Sequence, residues 1–407
     1  MQYEWINNVA EMSDDYTNIR FYFWFNQKIE PNTLPKNLTT LKFGYKFNQR
    51  IEPNILPENL TTLTFGEYFN QKINPNTLPE NLTTLIFGKK FNQKIEPNIL
   101  PKNLTNLTFG EYFNQKINPN TLPENLTIFE FRWGFNQKIE PNSLPENLTN
   151  LEFGWEFNQP LEPNTLPKNL ISLIFGENFN QQIEPNTLPK KLTHLTFYGK
   201  FNQPIEPNTL SENLTYLEFG YEFDQQIKPN TLPENLTYLD LGYKFNQQIK
   251  PNTLPEKLIH LVFGYKFNQR IESNILPNNL THLEFGYKFN QHIESNTLPE
   301  NLTTLDFGSN FDQQINSEML PSNLKNINFN WTHFNRSDLI KMVNNIPSYY
   351  HVKIFIVSAD KNIINIKGPK WPIHVINYIE NKWISKIYEI QDKYMHPIHG
   401  FVTVFNQ

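Results

Sequence analysis

The sequence predicts a solenoid of 22-residue units stacked head to tail. It carries a parallel β-sheet on one face and extended, proline-rich, non-helical backbone on the other. Three observations support this. Fourteen phenylalanines, from Phe25, Phe47 and Phe69 to Phe311, recur every 22 residues without a slip. A fixed period of that length marks an array in which each copy packs on its neighbours. Within a copy, Thr40-Leu41-Lys42-Phe43 alternates polar and apolar residues, the period of a half-buried strand. Beyond it, Pro31 and Pro35 recur in most copies. Each fixes φ and removes a backbone donor, which would badly strain an α-helix through this segment and favours extended, polyproline or short 3₁₀ backbone.

Taken in order, residues 1–16 form an N-terminal cap, in which Trp5, Ile6, Val9 and Met12 fit a short amphipathic helix over the first rung. Thr17 to Phe21 already lies in phase with the strand, so the repeat body of about 14 copies covers residues 17–332. Gly44, directly after the strand, suits a turn that needs positive φ. Asn26 and Gln27 open each copy; the glutamine recurs in all fourteen, and the asparagine yields only to Asp224 and Asp312. Stacked amides of this kind can donate to one neighbouring rung and accept from the other. Residues 333–407 break the period and read as a small α+β capping domain. A helix starts at Ser337, strands run over Val352–Val357 and Ile363–Ile366, and Ile373 to Tyr394 fits either a helix or a hairpin. That segment holds nine Lys/Arg against five Asp/Glu, whereas residues 1–332 hold 26 against 35.

Composition narrows the function classes. There is no cysteine, which removes disulfides and Cys-ligated zinc. No stretch reads as a signal peptide or membrane span, so an intracellular protein is expected. The ten Asn-Leu-Thr sequons are a by-product of the repeat. Lys28, Arg50, Lys72, Lys94, Lys116 and Lys138 form a basic stripe, but Glu30, Glu52, Glu96 and Glu140 lie two residues on. The stripe therefore reads as a self-compensated, solvated face rather than a nucleic-acid site. No nucleophile elbow, phosphate-cradling glycine loop or His-Glu-x-x-His motif is present. The chain is expected to be non-enzymatic, to carry no cofactor and to be a monomer.

Phe-Asn-Gln-x-Ile-x-Pro followed by Leu-Pro-x-Asn-Leu-Thr-x-Leu-x-Phe-Gly resembles the repeats of the FNIP family, carried in the first copy by Phe25, Asn26, Ile29 and Pro31. Serine replaces the first proline at Ser273, Ser295 and Ser317, and the second at Ser211. The family is similar to leucine-rich repeats, which implies a protein-recognition array of 22-residue leucine-rich-like units, here resembling proteins of amoeba-infecting giant viruses. Many such relatives carry an N-terminal F-box. The sixteen or so residues before the first in-phase strand are too few for one, and ligase chemistry through a thioester would need the cysteine that is missing.

Solenoids of this kind bind through outward strand residues. In the early copies these are bland: Thr40, Lys42, Thr62 and Thr64. Later, Tyr216, Tyr238, His260 and His282 occupy one column and Glu218, Asp240, Glu284 and Asp306 the next, interrupted by Val262. Tyr221, Tyr243, Tyr265 and Tyr287 follow past the glycine turn. Aromatic residues flanked by acids make a candidate protein-binding patch for a basic segment of a host or viral protein. His260, His282 and Glu284 have the chemistry of zinc ligands, but exposed histidines at variable positions read first as surface residues. The sequence thus points to an intracellular interaction scaffold, expected in host cytoplasm. The alternatives are a substrate-recognition subunit working with ubiquitin-ligase machinery in trans, or a structural component of a virion.

Overall fold

The structure is a computed structural model. It describes residues 3–8, 12–315 and 317–331, and the backbone of two further strands, 351–356 and 374–377. The chain divides into two compact units, one of Met1–Asp240 with Ile249–Leu258, the other of Leu241–Gln248 with Ile259–Gln407.

In the first unit, β1 (Glu4–Ile6), β2 (Asn18–Phe21) and β3 (Thr40–Lys42) are followed by β4 (Thr62–Thr64), β5 (Thr84–Ile86), β6 (Asn106–Thr108), β7 (Ile128–Glu130) and β8 (Asn150–Glu152). Then come β9 (Ser172–Phe175), β10 (His194–Phe197), β11 (Tyr216–Glu218) and β12 (Tyr238–Asp240). Each is parallel to the next and, from β2 onward, pairs residue for residue at the 22-residue offset, as in Leu41 with Leu63. The second unit continues the pattern with β13 (His260–Val262), β14 (His282–Glu284), β15 (Thr304–Phe307) and β16 (Asn326–Trp331). Two more parallel strands, β17 (His351–Ile356) and β18 (His374–Asn377), extend that sheet.

The residues expected to form an N-terminal helix instead include a strand. Ile6 is buried, and its carbonyl accepts from Tyr22 N–H at 3.0 Å, so β1 covers the backbone edge that β2 would otherwise leave open. The strand expected near Val352 is observed. Residues 374–377, read as part of a helix or hairpin, form a parallel strand. The helix expected from Ser337 and the strand over Ile363–Ile366 lie outside the described residues.

Behind the sheet the copies fold through tight turns rather than continuous extended chain, and the last carries a short 3₁₀ helix over Ser317–Met319. In the first turn of a copy, Thr33 N–H approaches Glu30 O (3.4 Å), and in the second turn Leu38 N–H donates to Pro35 O (3.1 Å). Asn32 takes φ 60°, and its counterparts through Asn296 all lie between 59° and 68°. Pro31 before it pre-sets φ, and asparagine tolerates the left-handed region, as the second central position of a type II turn requires.

The strand-following glycine has a different role from the expected one. Only Gly199 and Gly242 have positive φ among the described glycines. The rest are needed because the backbones of adjacent rungs nearly touch: a Cβ on Gly66 would lie 1.9 Å from Gly44 O, and one on Gly110 would lie 1.8 Å from Gly88 O. In the copies of Arg132 and Tyr198 a side chain occupies this position, as Tyr22 does in the rung of β2, and in those two copies a glycine stands two residues later, Gly134, or one residue later, Gly199. At the second of these, the carboxylate of Glu177 is buried where a Cβ on Gly199 would stand. Burial raises its pKa above the usual carboxylate range.

Phenylalanine columns and polar ladders link the rungs. Phe43 stacks on Phe47 at 3.9 Å, and each meets its counterpart in the next copy, Phe65 at 5.7 Å and Phe69 at 6.1 Å. The amide ladder expected from Asn26 and Gln27 is present: Asn26 Oδ1 accepts from Asn48 N–H (2.8 Å) and Gln49 Nε2 (3.3 Å), and Asn92 Oδ1 repeats both bonds with Asn114 and Gln115. The sequon asparagine forms a second ladder, Asn59 Nδ2 donating to Lys36 O at 2.9 Å, and the sequon threonine a third, Thr61 Oγ1 to Thr39 O at 3.1 Å. The basic stripe is compensated by Lys28–Glu30, Arg50–Glu52, Lys94–Glu96 and Lys116–Glu140 ion pairs.

Candidate binding face

The outward strand positions are fixed by pairing register, so the residue columns follow directly from the repeat. In the first unit Tyr216 and Tyr238 are paired residues whose rings stack at 4.4 Å and 6°. His194, one rung earlier, stacks on Tyr216 at 5.7 Å and lengthens the column. The Tyr216 hydroxyl donates to Glu218 Oε2 at 2.8 Å. Burial, and then the Glu218 carboxylate, raise the pKa of that phenol well above its ordinary value. Tyr221 is half-buried beyond the turn. Asp240 faces the same side but is only 3 % exposed, so it offers less contact area than the outward pattern predicts.

In the second unit His260 and His282 are paired, with rings 5.3 Å apart at 17°. Burial first, and His282 second, hold His260 below the ordinary imidazole range. Glu284 pairs with Asp306, and the Asn328 amide donates to Asp306. With Thr304 and Asn326 these side chains line a cleft of about 220 Å³. Tyr243, Tyr265 and Tyr287 form their own stack, at 4.5 and 4.6 Å. Val262, which interrupts the acidic column, is buried. Among the described residues no group of three or more His, Asp or Glu is arranged to hold a metal ion.

A second acid-and-aromatic group lies on the strands of the first unit, at positions the sequence reading passed over. Glu130 and Glu152 are paired on β7 and β8, Arg132 Nε lies 3.6 Å from Glu130, and Trp133 stacks on Trp155 at 5.1 Å. Among the described residues no side chain donates to the Glu152 carboxylate. Burial and then Glu130 push its pKa up to about 7, against the opposing pull of Arg132. Glu130 and Glu152 occupy the column of Glu218, so the signal was present in the sequence 88 and 66 residues earlier.

Known proteins support this architecture. The solved structure of CroV588, a giant-virus protein described as a novel circular LRR structure, is 39% identical over 84% of this chain, with a TM-score of 0.53. This chain spans 60% of the length of CroV588. The leucine-rich fold also matches a chain of the Toll–Spätzle complex from Drosophila at 16% identity and a TM-score of 0.56, over 86% of this chain and 57% of that one. No curated protein matches the chain. Overlapping matches to the FNIP repeat, from residues 25–68 to 289–331, run along the described body. With the repeat signature, the 22-residue pairing offset and these matches together, the chain belongs to the FNIP repeat family.

Proposed function

We propose that this chain is a non-catalytic protein-interaction scaffold whose outward strand face binds a basic segment of a protein partner. The carrying observation is the contrast between columns. The core positions repeat Leu, Ile and Phe from rung to rung, while the outward positions change and gather Tyr216, Tyr238 and Glu218 in one unit and His260, His282, Glu284 and Asp306 in the other. Stacked aromatics beside carboxylates supply contact area and charge complementarity to Lys or Arg side chains. Leucine-rich-like solenoids commonly serve as protein-binding scaffolds. The same reading takes the protein to be intracellular, in the cytoplasm of a host cell, and a monomer that binds no cofactor.

The test is affinity purification of the tagged full-length chain from amoebal cells, beside Glu218→Lys and Glu284→Lys variants. A partner depleted at least tenfold by charge reversal supports the reading. A partner retained equally by all three proteins refutes it. Recovery of ubiquitin-ligase subunits with that partner would specify a substrate-recognition role in trans.

A further inference from the structure

The N-terminal rungs carry a surface of opposite character. Four large apolar side chains are exposed there: Trp5 (47 %), Tyr22 (42 %), Phe23 (45 %) and Trp24 (74 %). Two of the four are consecutive with Tyr22, and Trp5 reaches its ring at 5.1 Å, so they form one patch rather than scattered residues. Cations are interleaved with the rings. Arg20 lies 4.4 Å from the Trp5 centroid, Lys46 lies 5.7 Å from that of Trp24 and 4.1 Å from that of Tyr68, and Lys90 lies 4.0 Å from the Tyr68 centroid. Lys42 pairs with Arg20 across β2 and β3, so two like charges stand side by side on the strand face. Burial, and then Arg20, hold the Lys42 ammonium below its ordinary pKa against the opposing pull of Glu67. Among the described residues none of Arg20, Lys42, Lys46 and Lys90 makes an ion pair, although the neighbouring basic stripe is matched by glutamates.

We propose that this N-terminal aromatic and cationic patch docks an acidic segment of a partner protein, with Arg20, Lys46 and Lys90 meeting its carboxylates and Trp24 its apolar side chains. Charge complementarity identifies the occupant: the patch gathers four cations that make no ion pair among the described residues, with Glu67 the carboxylate acting on Lys42, on a chain whose formal net charge is −5. Aromatic and arginine side chains are the residue types that dominate interface energetics. Single-stranded nucleic acid also uses aromatics and cations, but it needs open ring faces for bases to stack on. Here Arg20 sits over Trp5, Lys46 and Lys90 over Tyr68, and Tyr45 stacks on Phe23 at 4.4 Å. Those faces are occupied; Trp24, 74 % exposed, stays open but gives no run of stacking platforms for successive bases, and the arrangement suits carboxylates reaching the cations.

The experiment is fluorescence anisotropy on the full-length chain with two labelled probes, a peptide of glutamates interspersed with leucine and an oligouridylate. The peptide is expected to bind in low salt and to weaken at least tenfold in an Arg20→Gln, Lys46→Gln, Lys90→Gln triple variant. It should also weaken with Trp24→Ala alone, a substitution at an exposed site that leaves the core intact. Glu218→Lys should leave peptide binding unreduced, which separates this surface from the strand-face site. Absence of peptide binding, binding indifferent to both patch variants, or displacement of the peptide by a tighter-binding oligouridylate would each overturn the proposal.

Discussion

Replacing Gly110 with alanine probes the close approach of successive rungs. The added Cβ would stand 1.8 Å from Gly88 O and 2.6 Å from Gly88 C, with Lys89 C at 3.2 Å. Reaching the 3.0 Å that real Cβ contacts respect therefore requires a shift of about 1.2 Å between two backbones. No flexible side-chain end is among the nearest atoms, so the rungs themselves must part. Overpacking of this sort costs about 1–3 kcal/mol. Displacing Gly110 also strains the Tyr112 N–H to Lys89 O bond (2.9 Å) and the Phe113 N–H to Gly110 O bond (3.2 Å), worth about 1 kcal/mol each. The unfolded-state gain from Gly to Ala returns about 0.4–1 kcal/mol. The net expectation is a loss of about 3 kcal/mol, read in urea denaturation and as faster hydrogen exchange at Tyr112 and Phe113. The natural rung with Tyr198-Gly199 suggests a rescue: adding Glu111→Gly should recover part of the loss, less the small contribution of the solvent-screened Lys89–Glu111 pair. A Gly110→Ala protein as stable as the parent would refute the close-approach account.

Three further outcomes are expected. Asn120, at φ 63°, should tolerate glycine but lose about 1–2 kcal/mol as alanine; equal melting temperatures for the two variants would remove the left-handed turn as the reason for asparagine. The Thr165 hydroxyl is buried with no hydrogen-bond partner among the described residues, and Ile55, Ile99 and Ile275 occupy the same repeat position. Thr165→Val should thus be neutral or stabilising by up to about 1 kcal/mol in thermal unfolding, and a marked loss would show that the hydroxyl is satisfied. Glu152 binds its proton more tightly folded than unfolded, so its contribution to stability should fall as pH rises from 4.5 to about 7. Glu152→Gln should flatten that part of the stability profile and raise stability at pH 8; an unchanged profile would refute the burial effect.

Periodicity made the strands, the phenylalanine columns and the amide ladder legible, because each recurs at one position of the copy and pairs with itself. What escaped depends on distances between copies. Gly44 looks like a turn residue within its own rung, and its need for a missing side chain is visible only against Tyr22 O of the rung before, 1.9 Å from a hypothetical Cβ. Asp240 pairs with Glu218 in the register the repeat predicts, but its burial depends on surrounding side chains and not on strand alternation. Glu130 and Glu152 share the repeat position of Glu218, but Ile128 and Asn150 stand where Tyr216 precedes Glu218, so no aromatic column marks them in the sequence. At the N-terminus, Trp5, Ile6, Val9 and Met12 fit helical spacing, yet the edge of β2 presents an ordered template that favours a strand over residues 4–6.

Pairing between equivalent residues has a consequence for how such a chain can change length. Excising one whole copy would bring together an Asn Oδ1 and an Asn N–H that already have the correct partners in kind, and the same holds for the Phe stacks and the Thr and Asn ladders. Gene-level gain or loss of 22 codons is therefore structurally quiet over the uniform rungs. Rungs such as 197–200, where tyrosine and glycine are transposed, are tied to one neighbour and act as fixed landmarks in a body of otherwise adjustable length.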